Sequence, residues 1–318
     1  MSHLTRCKTP RPAQWLPHMR TRLTLLLTML GTMLCTPLST ADEEPTAQPN
    51  FSRAYIDLDW GQIHLLQATP SLMTQRTLVC FPPNPFSGNY YRHLMASLAL
   101  DRRVVALDYP GLGQSDPSTT WRTVGDLAEI MIDAIETARL RDEHDQTIDV
   151  CGYHTGAMVA AEVAIRRPDL VRHVVLIGVP YFADPAENDA ELQNVMQDRP
   201  LPQELGALES SWRFTIADRH PDVILERAYD NFLESAAAWR ARAPVYRALH
   251  GYAAADRAVL ITQPALVLNP HGGLKTHTRA YAQLIQDVSL VELPHLSYGV
   301  FDVAPEQIAD IMLQYLGR

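Results

Sequence analysis

The stretch that most limits what this chain can become is Ile148-Asp149-Val150-Cys151-Gly152-Tyr153-His154-Thr155-Gly156-Ala157-Met158. An apolar, β-prone run ends at Cys151, and Ala157, Val159, Ala160, Ala161, Val163, Ala164 and Ile165 then carry a helical pattern up to Pro168. Between them lies Gly-x-His-x-Gly. A strand that becomes a helix within so few residues brings backbone against backbone, and glycine at both shoulders suits a contact that leaves no room for a side chain. The spacing predicts a strand, a sharp turn centred on His154, and a helix.

Other segments repeat the same alternation. Residues 78–81, 104–108, 174–179, 265–269 and 289–293 read as strands, with 174–179 a continuous apolar run of the kind buried on both faces of a parallel sheet. Helical patterns separate them, which implies right-handed strand-helix-strand crossovers. Residues 55–60 and 62–67 alternate around Gly61 and predict an antiparallel hairpin at the sheet edge. Val124, Leu127, Met131, Ala134 and Ala138 share a helix face with Thr123 as its cap, and Pro305 opens a last helix over 305–316.

The pattern changes at Tyr181. From there to about 257 the chain is acidic, interrupted by proline, and amphipathic, with Trp212, Phe214, Tyr229, Phe232, Trp239 and Tyr246. This predicts a helical cap whose aromatic residues mostly pack, some lining a pocket against the sheet. At 318 residues and 47% apolar content, with no internal repeat, the chain makes one large α/β core. The expected layout is a signal peptide over 1–41, a linker over 42–52, core over 53–180 and 258–318, and the cap over 181–257.

The first 41 residues hold Arg6, Lys8, Arg11, Arg20 and Arg22 but no acid, then an apolar run over 23–35 and Ser39-Thr40-Ala41. That order predicts secretory export, to the periplasm or the outside, with Met19 as an alternative start and a signal-anchor helix as the rival reading. The apolar run is short for a membrane span, so no stable insertion is expected after cleavage. Leu34 before Cys35 argues against a lipid anchor. Cleavage removes five of 27 basic residues and none of 36 acids, taking the formal charge from −9 to −14. Nucleic acid is therefore not an expected partner. Cys80 and Cys151 remain, each near a strand end, and read first as buried apolar thiols.

From about Tyr55 onward the chain resembles the α/β-hydrolase superfamily. Gly152-Tyr-His-Thr-Gly156 is similar to its nucleophile elbow, and Asp108-Tyr-Pro-Gly111-Leu-Gly113-Gln-Ser115 to its Asp-x-Pro-Gly-x-Gly-x-Ser turn. The resemblance implies an eight-stranded, mostly parallel sheet with helices on both faces and a cap inserted after the sixth strand. It also makes the strands of Cys80 and Cys151 neighbours, where a disulfide is sterically conceivable.

The same resemblance shows which groups are replaced. His154 stands where serine is usual, and the loop after 265–269, Asn269-Pro270-His271-Gly272-Gly273, holds no carboxylate. The place of the catalytic histidine falls on Tyr298, with His295 three residues earlier. The oxyanion loop reads Pro82-Pro83-Asn84-Pro85, where Asn84 keeps a backbone N–H, and Thr155 N–H is the expected second donor.

These residues leave three chemistries. His154, beside a helix N-terminus, is expected neutral and able to act as base or nucleophile, with His295 or Tyr298 assisting and Tyr153, Tyr109 and His271 around the pocket. The alternative is a protein that only binds a small ligand there. The third gathers His154, His271 and His295 around a metal. The main expectation is a hydrolase or lyase acting on a small ester-like or lactone-like molecule, with no cofactor.

Overall fold

A computed structural model describes residues 48–317 apart from 119, 141–145, 194, 199, 200 and 202. The expected signal peptide lies outside the described residues. Eight strands form one sheet: β1 (Asn50–Leu58), β2 (Gly61–Thr69), β3 (Leu78–Phe81), β4 (Val104–Leu107), β5 (Ile148–Tyr153), β6 (Val171–Ile177), β7 (Ala265–Pro270) and β8 (Val288–Leu293). Their order is β1-β2-β4-β3-β5-β6-β7-β8. β2 runs antiparallel to both β1 and β4, and every other pair is parallel. β1 starts inside the expected linker, because Phe51 and Ser52 find ladder partners in Ala68 and Gln67 of a longer β2.

The helices are α1 (Arg92–Leu98), α2 (Val124–Thr137), α3 (Thr155–Arg166), α4 (Pro185–Gln193), α5 (Glu209–Trp212), α6 (Leu225–Ala237), α7 (Arg242–His250), α8 (Ala254–Ala258), α9 (Lys275–Ala282), α10 (Val300–Val303) and α11 (Pro305–Leu316). The strand pleat sorts the core into two layers. Val79, Val105, Val150 and Val174 pack on the side of α2 and α3, while Cys80, Ala106, Cys151 and Val175 pack on the side of α1 and α11. Thr123 caps α2 as its position suggests, and Asp126 completes a reciprocal capping box. Among the described residues no helix is long and apolar enough to cross a membrane.

Cys80 and Cys151 are direct register partners on β3 and β5. Both are fully buried free thiols, with Cys151 Sγ donating to Cys80 Sγ at 2.8 Å. Burial pushes the Cys80 thiol well above its ordinary pKa, so it stays protonated. At the opposite end of β5 from His154, Asp149 is wholly buried between Arg102, 3.7 Å away, and His173, 3.3 Å away. An unshielded carboxylate could not stay in that layer, which explains the one acid in an apolar run.

Helices α4 to α8 lie between β6 and β7 in sequence and are tied to the core by side chains. Arg227 on α6, 4% exposed, donates to Asp302 Oδ1 at 3.0 Å and to the Tyr90 carbonyl at 3.0 Å. Glu234 accepts from Ser87 N–H at 3.0 Å and from Asn89 Nδ2 at 3.1 Å. On α7, Tyr246 Oη donates to the Asn84 carbonyl at 3.1 Å.

Candidate functional site

His154 sits between β5 and α3 with φ 54° and ψ −119°, a conformation rare for any residue with a Cβ. The neighbouring glycines show what holds it there. A Cβ on Gly152 would lie 1.9 Å from the Gly156 carbonyl oxygen, and one on Gly156 would lie 1.8 Å from the Phe81 carbonyl oxygen. Strand and helix therefore meet backbone to backbone, as the sequence predicts. The turn is closed by His154 N–H donating to Ile177 O at 2.9 Å and Ala157 N–H donating to His154 O at 2.9 Å.

The imidazole Nδ1 lies 3.1 Å from Thr155 Oγ1. Burial lowers its pKa from the ordinary 6.5 to about 4, because a charged ring there would lose its water. The ring is neutral at pH 7. Among the described residues no carboxylate hydrogen-bonds to it.

Two cavities meet at this residue. The smaller, about 400 Å³, is lined by Glu187, His271, His277, Ser297 and Tyr298 besides His154. The larger, about 1150 Å³, is lined on its core side by Asn84, Phe86 and Tyr90 and on its helical side by Phe214, Trp239 and Arg242. Tyr153, His154, Tyr246 and Tyr298 border both. The segment over 181–257 thus contributes four aromatic rings to the walls, Phe182, Phe214, Trp239 and Tyr246.

The residues singled out in the sequence fall into two groups. Tyr153, Asn84, His271 and Tyr298 line the cavities with His154. Burial and the nearby Tyr298 phenol push the Tyr153 pKa up to about 12, so it serves as a donor and not as a base. Tyr298 is 62% exposed and meets Phe214 edge to face with centroids 5.6 Å apart, closing the rim between core and helices. Asn84 turns its side chain away from an oxyanion role: Nδ2 donates to the Arg242 carbonyl at 2.9 Å. Thr155 opens α3, so its N–H has no partner within the helix, but its side chain is buried against His154 and lines neither cavity.

Tyr109 and His295 are placed elsewhere. Tyr109 is fully buried in the core layer with α2 and α3, where the ring gains more from apolar contact than from a pocket wall, and it lines neither cavity. His295 is exposed, because Leu296 is the residue that turns inward, 8% exposed, and its carbonyl accepts from His271 N–H at 2.7 Å. The His154, His271 and His295 trio is therefore not assembled, and among the described residues no three metal-ligating side chains are grouped. Asn269, which leads into the loop where the acid is expected, is buried and donates to the Lys275 carbonyl and to Glu292 Oε2, each at 3.0 Å.

A second Ser, His and Asp grouping, unmarked in the sequence, serves structure. His64 Nδ1 lies 2.9 Å from Asp108 Oδ2, but Ser115 Oγ accepts from the His64 backbone N–H at 2.9 Å and donates to the Asp108 carbonyl. The hydroxyl is bonded to backbone and not to the ring. Asp108 also accepts from Gly88 and Gln114 N–H, and a Cβ on Gly113 would lie 2.0 Å from its Oδ2. These bonds hold the turn after β4 shut.

The sheet order, the strained elbow and the glycines at its shoulders define a protein of the α/β-hydrolase fold. A family model described as alpha/beta hydrolase fold matches residues 76–203 of the chain. It is 25% identical over 242 residues to a Rhizobium rhizogenes protein named as a carbamate hydrolase, RutD, across 72% of this chain and 88% of that one. It is 34% identical over 105 residues to a 1-acylglycerol-3-phosphate O-acyltransferase of Arabidopsis thaliana, across 33% of this chain and 24% of that one. Among solved structures, the enol-lactonase of Burkholderia xenovorans superposes with a TM-score of 0.66 at 17% identity, over 83% of this chain and all of that one. A hydrolase from Pseudomonas aeruginosa superposes at 0.65 with 18% identity, over 85% and 99%. At those identities the structures share the fold.

Proposed function

We propose that this protein hydrolyses a small ester-like or lactone-like molecule bound where the two cavities meet, with His154 in place of the usual nucleophile. The observation that carries the reading is the elbow itself: a strained turn is kept, and its central side chain borders both cavities. With Nδ1–H donated to Thr155 Oγ1, Nε2 keeps a lone pair. That nitrogen takes a proton from water as the water oxygen adds to the carbonyl, and returns it to the alcohol oxygen as the acyl–oxygen bond breaks and the alcohol leaves. The backbone N–H of Asn84, which borders the larger cavity, is the donor assigned to the oxyanion.

A second reading, a binding protein without turnover, is favoured by one feature. Among the described residues no carboxylate pairs with His154, and a ring with a pKa of about 4 is a weak base. Export through residues 1–41, and a secreted or periplasmic location, belong to the same proposal and rest on the N-terminal sequence alone.

The test compares the wild type with His154→Ala and His154→Ser on a panel of short and medium acyl esters and lactones. A hydrolase using His154 loses at least about a hundredfold in turnover in His154→Ala, the scale of a general base. Wild-type turnover no higher than that of the alanine variant would leave only the binding role for those substrates.

A further inference from the structure

The larger cavity holds a cation that no charged group among the described residues neutralises. Arg242 opens α7 and lines the cavity together with His154. Its carbonyl accepts from Asn84 Nδ2, and its guanidinium carbon lies 5.9 Å from the centre of the Tyr246 ring. Nε is buried and has no hydrogen-bond partner. Among the described residues no carboxylate forms an ion pair with it.

The other charged groups on the same walls are committed or turned to solvent. Arg219 donates to the carbonyls of Val223 at 3.0 Å and Ile216 at 2.8 Å. Asp302 is held by Arg227 at 3.0 Å and His93 at 2.9 Å. Glu204 and Asp218 are exposed, and His220 lies 3.7 Å from Asp222. Asn84 Oδ1 and Asn231 Oδ1 are buried acceptors without donors, but they carry no charge. Arg242 is thus the cation of this cavity whose planar fork is left to a ligand.

We propose that Arg242 anchors a carboxylate or phosphate on the molecule that fills the larger cavity, so that the ligand is an amphipathic anion. This rests on the reading of that cavity as the ligand site. Two parallel N–H···O bonds from the Nη1–Nη2 edge of the guanidinium match either anion. The body of the ligand meets Phe86, Tyr90, Phe214, Trp239 and Tyr246, which suits an alkyl chain or an aromatic ring. With a formal charge of −9, the chain as a whole repels anions at long range, so the preference must come from this local group.

The experiment is calorimetric titration of the full chain with octanoate, octyl phosphate and 1-octanol, in the wild type, Arg242→Met and Arg242→Lys. In the wild type the better anion binds at least about tenfold more tightly than the alcohol, the scale of hydrogen bonds to a charged group. In Arg242→Met the ratio falls towards one, and Arg242→Lys, which keeps the charge without the fork, retains part of it. Which anion binds better tells carboxylate from phosphate. Equal affinity of the wild type for all three, or a ratio unchanged in Arg242→Met, overturns the anion assignment while leaving the cavity a ligand site. Failure of all three to bind the wild type overturns both.

Discussion

The two walls of the candidate site are held by different physics. On the sheet side, His154 is fixed by backbone: the carbonyls of Phe81 and Gly156 lie where side chains on Gly156 and Gly152 would have to be. On the helical side, side chains hold the wall: Val245, Tyr246 and Leu249 of α7 pack into the core layer of α2 and α3, and Arg227 bonds Asp302, Glu234 bonds Ser87 and Asn89, and Tyr246 bonds Asn84. A backbone contact tolerates almost no substitution, whereas side-chain ties can be remade with other residues. One wall sets where a reacting atom sits, and the other sets what shape is admitted.

The sharpest attempt to break the contrast is Gly156→Ala. A methyl 1.8 Å from the Phe81 carbonyl forces β3 and α3 apart, and a loss of more than about 4 kcal/mol is expected in denaturant unfolding. A loss under about 1 kcal/mol would mean that the backbone contact does not hold the elbow. On the other wall, Asp302→Ala leaves Arg227 buried without its counter-charge and should cost about 3 kcal/mol. Because the tie is local, cleavage by a protease within residues 181–257 should rise more than global unfolding predicts. Equal sensitivity throughout the chain would show that α6 is no separate wall.

A smaller effect comes from pH. The His154 pKa is lowered in the folded chain to about 4, so the unfolded state binds more protons below about 6.5. Its contribution is intact at pH 7 and is lost as pH falls through that window. Between pH 7 and 4.5 the wild type should lose about 2 kcal/mol more than His154→Gln, scaled down for the ring's partial exposure. Urea midpoints at the two pH values check this, and identical losses would show that the ring is not desolvated.

The sheet-side wall could be read in the sequence because its rules are local. Gly152, His154 and Gly156 are punctuation for one turn, and the alternation of apolar runs with helical patterns marks a parallel sheet with right-handed crossovers. The absence of a carboxylate from the loop after 265–269 and of a histidine at Tyr298 is also visible there, since each concerns one short loop. Arg242, Trp239, Phe214 and His277 were not distinguishable from their neighbours. They reach the cavities through tertiary packing of an amphipathic segment whose periodicity states which face is apolar but not what it faces. His295 and Tyr109 were misplaced for the same reason: the inward turn of Leu296 and the burial of the Tyr109 ring depend on contacts far along the chain.

The paired thiols under the site have a consequence for how this sequence can vary. Cys80 and Cys151 occupy one slot between the two strands that end in the loop at Asn84 and in the elbow, with their sulfurs 2.8 Å apart. A larger residue on either strand has nowhere to go unless the other shrinks, so the two positions are free to drift only as a pair. The seam links the histories of two residues 71 apart in sequence, and a survey of single substitutions at either one would miss the combinations that fit.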